Sequence, residues 1–185
     1  ALQLVGIFCE SLGAERDTLE RHFQRGHSSF LRLNHYPLAD LLAGADAAPA
    51  GPHGISQHSD AGAITVLLQD GLAGLQVLRD DTWVDVTPVA DTLTINIGDM
   101  LQVWSNEQYR APLHRVRASN EIARYSAAYF CNPDYTAIVE PLPPAVSTAN
   151  PARYKPISWA EFRRMRAMGD YDDYGEEIQI SHFRV

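Results

Sequence analysis

Cysteine is scarce in this chain: there are two in 185 residues, Cys9 and Cys131. That excludes a disulfide framework, and their spacing offers no structural zinc site. The simplest reading is a pair of reduced, buried thiols in a cytoplasmic protein. Basic charge is short as well. Fifteen Lys and Arg against 23 Asp and Glu leave a net charge of −8. No basic face for a phosphate backbone is expected, so a small-molecule substrate is favoured over nucleic acid. Long apolar runs are missing too. The opening stretch, Ala1 to Cys9, has no basic leader and meets Glu10 too early to span a bilayer, so neither a signal peptide nor a membrane partner is expected. Its start on Ala1, inside an apolar helical pattern, reads as that of a fragment or a processed piece. No G-x-G-x-x-G follows a strand pattern, no P-loop occurs, and the His-Glu-x-x-His of zincins is absent. There is no internal repeat and no low-complexity tract.

What is present is enough apolar material for one domain over residues 1–185, since 45% of the chain is hydrophobic. Ala1 to Leu12 is apolar nearly all round and predicts a buried helix stopped by Gly13. Asp17-Thr18-Leu19-Glu20 reads as a capping box opening a second helix, with Leu19 and Phe23 inward and Gly26 at its end. His22 and His27 beside it read as surface histidines. Ser29 to Tyr36 alternates, with Leu31, Leu33 and His35 on one side and Phe30, Arg32, Asn34 and Tyr36 on the other. The polar side is either the solvent face of an edge strand or a converging set. Leu38 to Gly54 is rich in Ala, Pro and Gly and reads as a loop of the kind that covers sites, with one helical turn at Asp40-Leu41-Leu42.

From Ile55 on, short apolar runs alternate with Gly, Asp and Pro turns: 64–69, 75–78, 83–86, 92–97, 100–104, 112–116 and 125–131. Such spacing predicts a mainly β chain, a double-stranded β-helix or jelly roll over about 28–142. Flanking helices are expected at 1–26 and within a C-terminal loop, helix and tail at 143–185. Ser158-Trp159-Ala160-Glu161 opens the last helix, with Trp159, Phe162 and Met165 on one face and Arg163, Arg164 and Arg166 on a solvated one. The tail acids Asp170, Asp172, Asp173, Glu176 and Glu177 do not follow an EF-hand order and read as solvated.

Chemistry concentrates in Gly54-Ile55-Ser56-Gln57-His58-Ser59-Asp60. A His-x-Asp pair alone is common in loops as two solvated residues. On a strand, however, His58 and Asp60 would leave the same face, and with His114 they could supply two imidazoles and one carboxylate to one side of an Fe(II) ion. His53 is the other nearby imidazole, placed by its odd spacing on the opposite face. A cupin would show His-x-His where this chain has His58-x-Asp60. Arg124 and Ser126 share a face two residues apart, and a guanidinium beside a hydroxyl suits a carboxylate. The alternative for Arg124 is an exposed ion pair with Glu121; for Asn34 and Tyr36 it is turn chemistry before Pro37 and simple packing.

Taken in order, Leu31-Arg32-Leu33-Asn34-His35-Tyr36-Pro37, His58-Ser59-Asp60 with Ala61 to Leu67, Gly74-Leu75-Gln76-Val77, Asn96 to Leu101, Leu113-His114-Arg115-Val116 and Arg124-Tyr125-Ser126 resemble one family. It is the isopenicillin N synthase-like branch of the Fe(II)- and 2-oxoglutarate-dependent dioxygenases. The match covers about Phe30 to Leu142, and the family's long N-terminal segment is expected to be absent. The resemblance implies that His58, Asp60 and His114 hold iron and act as the catalytic centre. It gives Arg124 and Ser126 the distal carboxylate of 2-oxoglutarate, places Asn34 and Tyr36 near its other end, and makes Arg32 a candidate for touching cosubstrate or substrate. It further implies that O2 is consumed while a small organic molecule is oxidised, usually hydroxylated, with release of succinate and CO2. The alternatives are an iron oxidase that dispenses with 2-oxoglutarate and a non-catalytic jelly-roll binding domain.

Overall fold

Short β-branched and aromatic runs between turn residues fold back on one another as antiparallel strands. The structure, a computed structural model, describes residues 1–24, 26–37, 53–117, 122–172 and 178–185, leaving aside the side chains of 53 and 168–172. The strands are β1 (Phe30–Tyr36), β2 (His53–His58), β3 (Ile64–Gln69), β4 (Leu75–Arg79), β5 (Thr82–Asp85), β6 (Thr94–Ile97), β7 (His114–Arg117), β8 (Arg124–Cys131), β9 (Ile138–Val139) and β10 (Ile157–Ser158). Two four-stranded sheets form, in the orders β1-β8-β3-β6 and β2-β7-β4-β5, while β9 and β10 pair separately. All these pairings are antiparallel. Sequence-distant partners such as β3 and β8 give the crossed connectivity of a jelly roll, as the turn spacing predicts.

The helices are α1 (Leu2–Ser11), α2 (Asp99–Trp104) and α3 (Trp159–Asp172). Their buried faces join the ends of β3 and β8 in one apolar core that includes Cys9, Phe23, Ile64, Leu101, Trp104, Cys131 and Phe162. Most of that core lies outside the space between the two sheets. The interior is thereby left to a cavity.

Several elements differ from the pattern-based reading. The run 100–104, expected as a strand, is α2; every residue from Asp99 to Trp104 is buried, so there is no exposed face to set a period of two or of 3.6. α1 buries one stripe through Val5 and Cys9 while Leu2 and Ile7 are exposed, rather than burying all round. The second helix is a single 3-10 turn, Glu20–Phe23, without a side-chain cap, although Leu19 and Phe23 do point inward. His22 is half-buried against the Trp104 ring, 5.6 Å between centroids. On α3, Ser158 Oγ accepts from the Glu161 N–H as expected. Arg166 is only 4% exposed, because it falls four residues after Phe162 and seven after Trp159 on the same stripe. On β1 the apolar side is outward, with Leu31 59% and Leu33 75% exposed, and the polar side faces the cavity. The loop and helical turn read before residue 53, Glu121 and the tail acids from Asp173 on lie outside the described residues, as do the side chains of His53, Asp170 and Asp172.

One close approach fixes the connection after β2. The Gly98 N–H donates to Ala63 O, the Asp99 N–H to Asp60 O at 2.7 Å, and the Met100 N–H to Gly62 O. A β-carbon on Gly98 would come within 2.2 Å of the Gly62 carbonyl oxygen, so only glycine lets the two segments lock. Gly98→Ala is expected to cost about 1–3 kcal/mol of stability, seen as a lower denaturation midpoint, and to weaken metal binding because Asp60 is part of the displaced loop.

Candidate metal centre

His58 ends β2 and Asp60 lies just beyond it, so simple strand parity does not by itself bring them together. β2 pairs with β7 through register shifts that place His58 opposite His114. The tight connection above then turns Asp60 back toward both rings. His58 Nε2 is 3.7 Å and His114 Nε2 3.6 Å from Asp60 Oδ1. One ligand atom from each of the three residues lies within 4.8 Å of the others.

Hydrogen bonds set which atoms are left for a metal. His58 Nδ1 is 2.8 Å from Ser56 O and His114 Nδ1 3.2 Å from Pro112 O; carbonyls can only accept, so both Nδ1 atoms carry the proton and both Nε2 lone pairs face inward. Thr65 Oγ1 and Asn96 Nδ2 both donate to Asp60 Oδ2, each at 2.6 Å. That leaves Oδ1 as the free oxygen. Two imidazole nitrogens and one carboxylate oxygen suit Fe(II), and no thiolate is present to favour a softer ion. On this donor set, His58, Asp60 and His114 fit a mononuclear iron.

Burial alone would raise the Asp60 carboxyl; the nearby His114 ring, with the Thr65 and Asn96 donors, outweighs it and holds the group at about 2. For His114, burial would lower the value, but Asp60 overrides it and raises the ring above its ordinary 6.5. Burial and the neighbouring His114 lower His58. In the metal-free protein, protonated His114 therefore contributes stability that is complete below pH 6.5 and lost as pH rises through its folded value. Asp60 contributes above 3.8, and the contribution is lost as pH falls toward 2.

The cavity between the sheets, about 280 Å³, contains this triad and, on its β1 and β8 walls, Asn34, Tyr36, Arg124 and Ser126. Cross-strand register pairs Asn34 with Ser126 and Tyr36 with Arg124. Asn34 Nδ2 donates to Ser126 Oγ at 3.1 Å, and the Arg124 guanidinium carbon lies 5.1 Å from the Tyr36 ring centre. Arg124 is 2% exposed; it donates to Gln69 Oε1 and Leu72 O, while its Nη1 has no partner. The exposed ion pair entertained for it is incompatible with that burial. Arg32 also lines the cavity.

Sequence reasoning missed Thr65, Asn96 and Gln69, although the alternation used for β1, applied to β3 and β6, would have turned all three inward. It also missed Arg166, which pairs with Asp99 and donates to Ser59 O at 3.0 Å, bracing the residue between the two ligands. No short-range signal marks that contact, since the partners are 67 and 107 residues apart.

Residues 27–133 match the model of the 2OG-Fe(II) oxygenase superfamily, and the chain belongs to that superfamily. Among curated relatives, gibberellin 2-beta-dioxygenase 8 of Arabidopsis thaliana is 32% identical over 183 residues, 99% of this chain and 50% of that protein. The 1-aminocyclopropane-1-carboxylate oxidase of Diospyros kaki is 38% identical over 149 residues, 77% of this chain and 44% of its own length. The crystal structure of JOX2 in complex with 2OG, Fe and JA aligns with a TM-score of 0.76 at 34% identity, covering 88% of this chain and 47% of that one. The chain thus spans about half the length of the relatives it matches.

Thr65→Val is expected to lower Fe(II) affinity about 10-fold or more, the usual effect of removing a group that orients a metal ligand, and to lower the thermal midpoint as well, since the buried Asp60 carboxylate loses one of its donors. Near pH 6.5 metal binding should release close to half a proton or more, because it displaces the proton of His114. Calorimetry in buffers of different ionisation enthalpy measures that release, which should vanish well above the folded value of His114.

Proposed function

We propose that the chain is the catalytic part of a non-haem Fe(II)- and 2-oxoglutarate-dependent dioxygenase that oxidises, and in the usual case hydroxylates, a small organic molecule. The observation that carries this is the buried, unpartnered Nη1 of Arg124 in the same cavity as the triad. A guanidinium removed from water with a free donor is costly unless an anion completes it, and a dicarboxylate that also reaches the metal would do so. Superfamily membership and the 2OG and Fe of the JOX2 complex support the same reading. The Arg124-x-Ser126 pattern suits a carboxylate in general; it is the superfamily match and the relatives named as dioxygenases that favour this reading over an oxidase that dispenses with 2-oxoglutarate, and the intact triad that speaks against a non-catalytic jelly roll.

In this reading His58, Asp60 and His114 would hold the iron. Bound iron would supply the redox chemistry, activating O2 as 2-oxoglutarate is decarboxylated to succinate and CO2. Arg124 and Ser126 bind and orient the far carboxylate, the Ser126 hydroxyl being free to donate because Asn34 already fills one of its acceptor sites. Tyr36 limits the motion of Arg124 by lying against it. The apolar walls formed by Leu67, Leu75, Val77 and Val116 exclude water and strengthen these charge-assisted contacts.

We place the chain in the isopenicillin N synthase-like branch on its Arg124-x-Ser126 and Asn34-x-Tyr36-Pro37 pattern. Residues 1–185 work as one unit, with helices at 1–26, the jelly roll at about 28–142 and the helix and tail at 143–185. Burial keeps both thiols protonated, Cys131 being pushed up to about 11; the reading of a cytoplasmic setting rests on the two cysteines being free rather than paired. No described helix is long and apolar enough to cross a membrane.

Asp60→Ala should abolish stable Fe(II) binding by calorimetry and lower the denaturation midpoint, because the Thr65 and Asn96 donors lose their acceptor. Arg124→Met should weaken 2-oxoglutarate at least 10-fold with Fe(II) affinity unchanged, and succinate release should fall in parallel. Unchanged 2-oxoglutarate affinity in that variant would refute the cosubstrate assignment.

A further inference from the structure

Gln69, the last residue of β3, stands opposite Ser126 on β8, and Ser126 stands opposite Asn34 on β1. The three residues form one row across the sheet. Gln69 Oε1 accepts from Arg124 Nη2 at 2.8 Å, and its Nε2 donates to Thr94 Oγ1 of β6 at 3.2 Å. With both ends of its amide engaged, Gln69 is held between β8 and β6. Just beyond it, Asp70 Oδ1 accepts from the Leu72 N–H at 3.1 Å, and Asp70 Oδ2 accepts from the N–H of Tyr125, the residue next to Arg124. This is a side-chain-closed turn through Gly71, whose φ of +89° is a left-handed backbone that glycine enters without strain. The turn presents Leu72 O to Arg124 Nε at 3.2 Å.

A guanidinium carries five N–H donors, arranged so that Nε and one Nη2 hydrogen form a side edge while Nη1 and the other Nη2 hydrogen form the end. Leu72 and Gln69 fill the side edge of Arg124. What remains is the end, where Nη1 is buried without a partner among the described residues. The Tyr36 ring, its centre 5.1 Å from the guanidinium carbon, covers one face. A carboxylate can therefore meet Arg124 in one place and one orientation. Gln69 achieves this with a neutral amide. A carboxylate in its position would hold the guanidinium as well but would spend the charge that a ligand needs.

We propose that Gln69 is a positioning residue which, with the turn from Asp70 to Leu72, sets the length of the 2-oxo dicarboxylic acid that the site accepts. The inference rests on the triad and Arg124 acting as described under the proposed function. An acid held by the metal at one end and by Arg124 and Ser126 at the other is measured against the separation of two anchors. That measure is only as sharp as the anchors are fixed. Arg124 released from Gln69 would shift to receive an acid one methylene longer, and the discrimination would lapse. Gln69 acts through Arg124, and its contribution is to keep the guanidinium in place while leaving it charged.

The test is calorimetry on the Fe(II)-loaded protein without oxygen, comparing 2-oxoglutarate with 2-oxoadipate, which is one methylene longer. The unaltered protein should bind 2-oxoglutarate about 10-fold or more tighter, the scale on which a fitted site discriminates one methylene. Gln69→Leu should weaken 2-oxoglutarate about 10-fold and bring the two acids to within about 3-fold of each other, with Fe(II) affinity unchanged. Gln69→Glu keeps an oxygen on Arg124 but adds a negative charge, so both acids should weaken about 10-fold while their ratio stays that of the unaltered protein. Thermal unfolding checks that both variants fold. A ratio unmoved in Gln69→Leu, a ratio lost in Gln69→Glu, or no discrimination in the unaltered protein would overturn the proposal, because a merely structural role changes stability and overall affinity but not selection by length. Arg124→Met separates this outcome from failure of the cosubstrate reading. Unchanged 2-oxoglutarate affinity in that variant would overturn both, whereas a loss there beside an unmoved ratio in Gln69→Leu would overturn the role of Gln69 alone.

Discussion

An ionised carboxylate taken almost wholly out of water has to be compensated from several directions at once, and Asp60, 5% exposed, gathers its partners from across the jelly roll. Thr65 comes from β3, Asn96 from β6 and His114 from β7, while the backbone oxygen of Asp60 is held by the first residue of α2. Each contact fixes one strand relative to the others. The same contacts select which carboxylate oxygen remains free, so the electrostatic requirement and the metal geometry are met by one set of bonds.

The cavity walls extend the same economy. β1 and β8 are neighbours, and their direct pairing sets Asn34 against Ser126 and Tyr36 against Arg124. A slip of β1 by one residue would turn Asn34 and Tyr36 outward, away from Ser126 and Arg124, which the pairing of β8 with β3 holds in place. The apolar outer side of β1 and the polar inner side are thus two consequences of a single register, which reverses the usual expectation that polar residues of an edge strand meet solvent.

Much of this was legible in the sequence because it depends on short-range rules. Turn residues at regular spacing gave away the strands, alternation grouped Arg32, Asn34 and Tyr36, and the ordered motifs joined His58, Asp60 and His114. The misreadings arose where short-range rules are silent. The residues 100–104 are buried all round and so carry no period, and a run of that kind reads equally well as strand or helix. Arg166 looked like one of three solvated arginines because charge was weighed above its position on the stripe of Trp159 and Phe162. Its partners, Asp99 and Ser59, belong to distant segments. The convergence of His58 and Asp60 depends on register shifts in β2 and on the Gly98 contact, and a pattern of two residues cannot encode either.

The Arg166 contacts tie α3 to the residue between two ligands. Breaking them would leave Asp99 buried without its cation, which is far more costly than fraying an ordinary surface helix. The C-terminal helix and the ligand loop therefore belong to one cooperative unit of opening. Slow amide exchange should extend from the loop into the first two turns of α3, and the lifetime of a bound metal would be governed by the rate at which that joint unit opens.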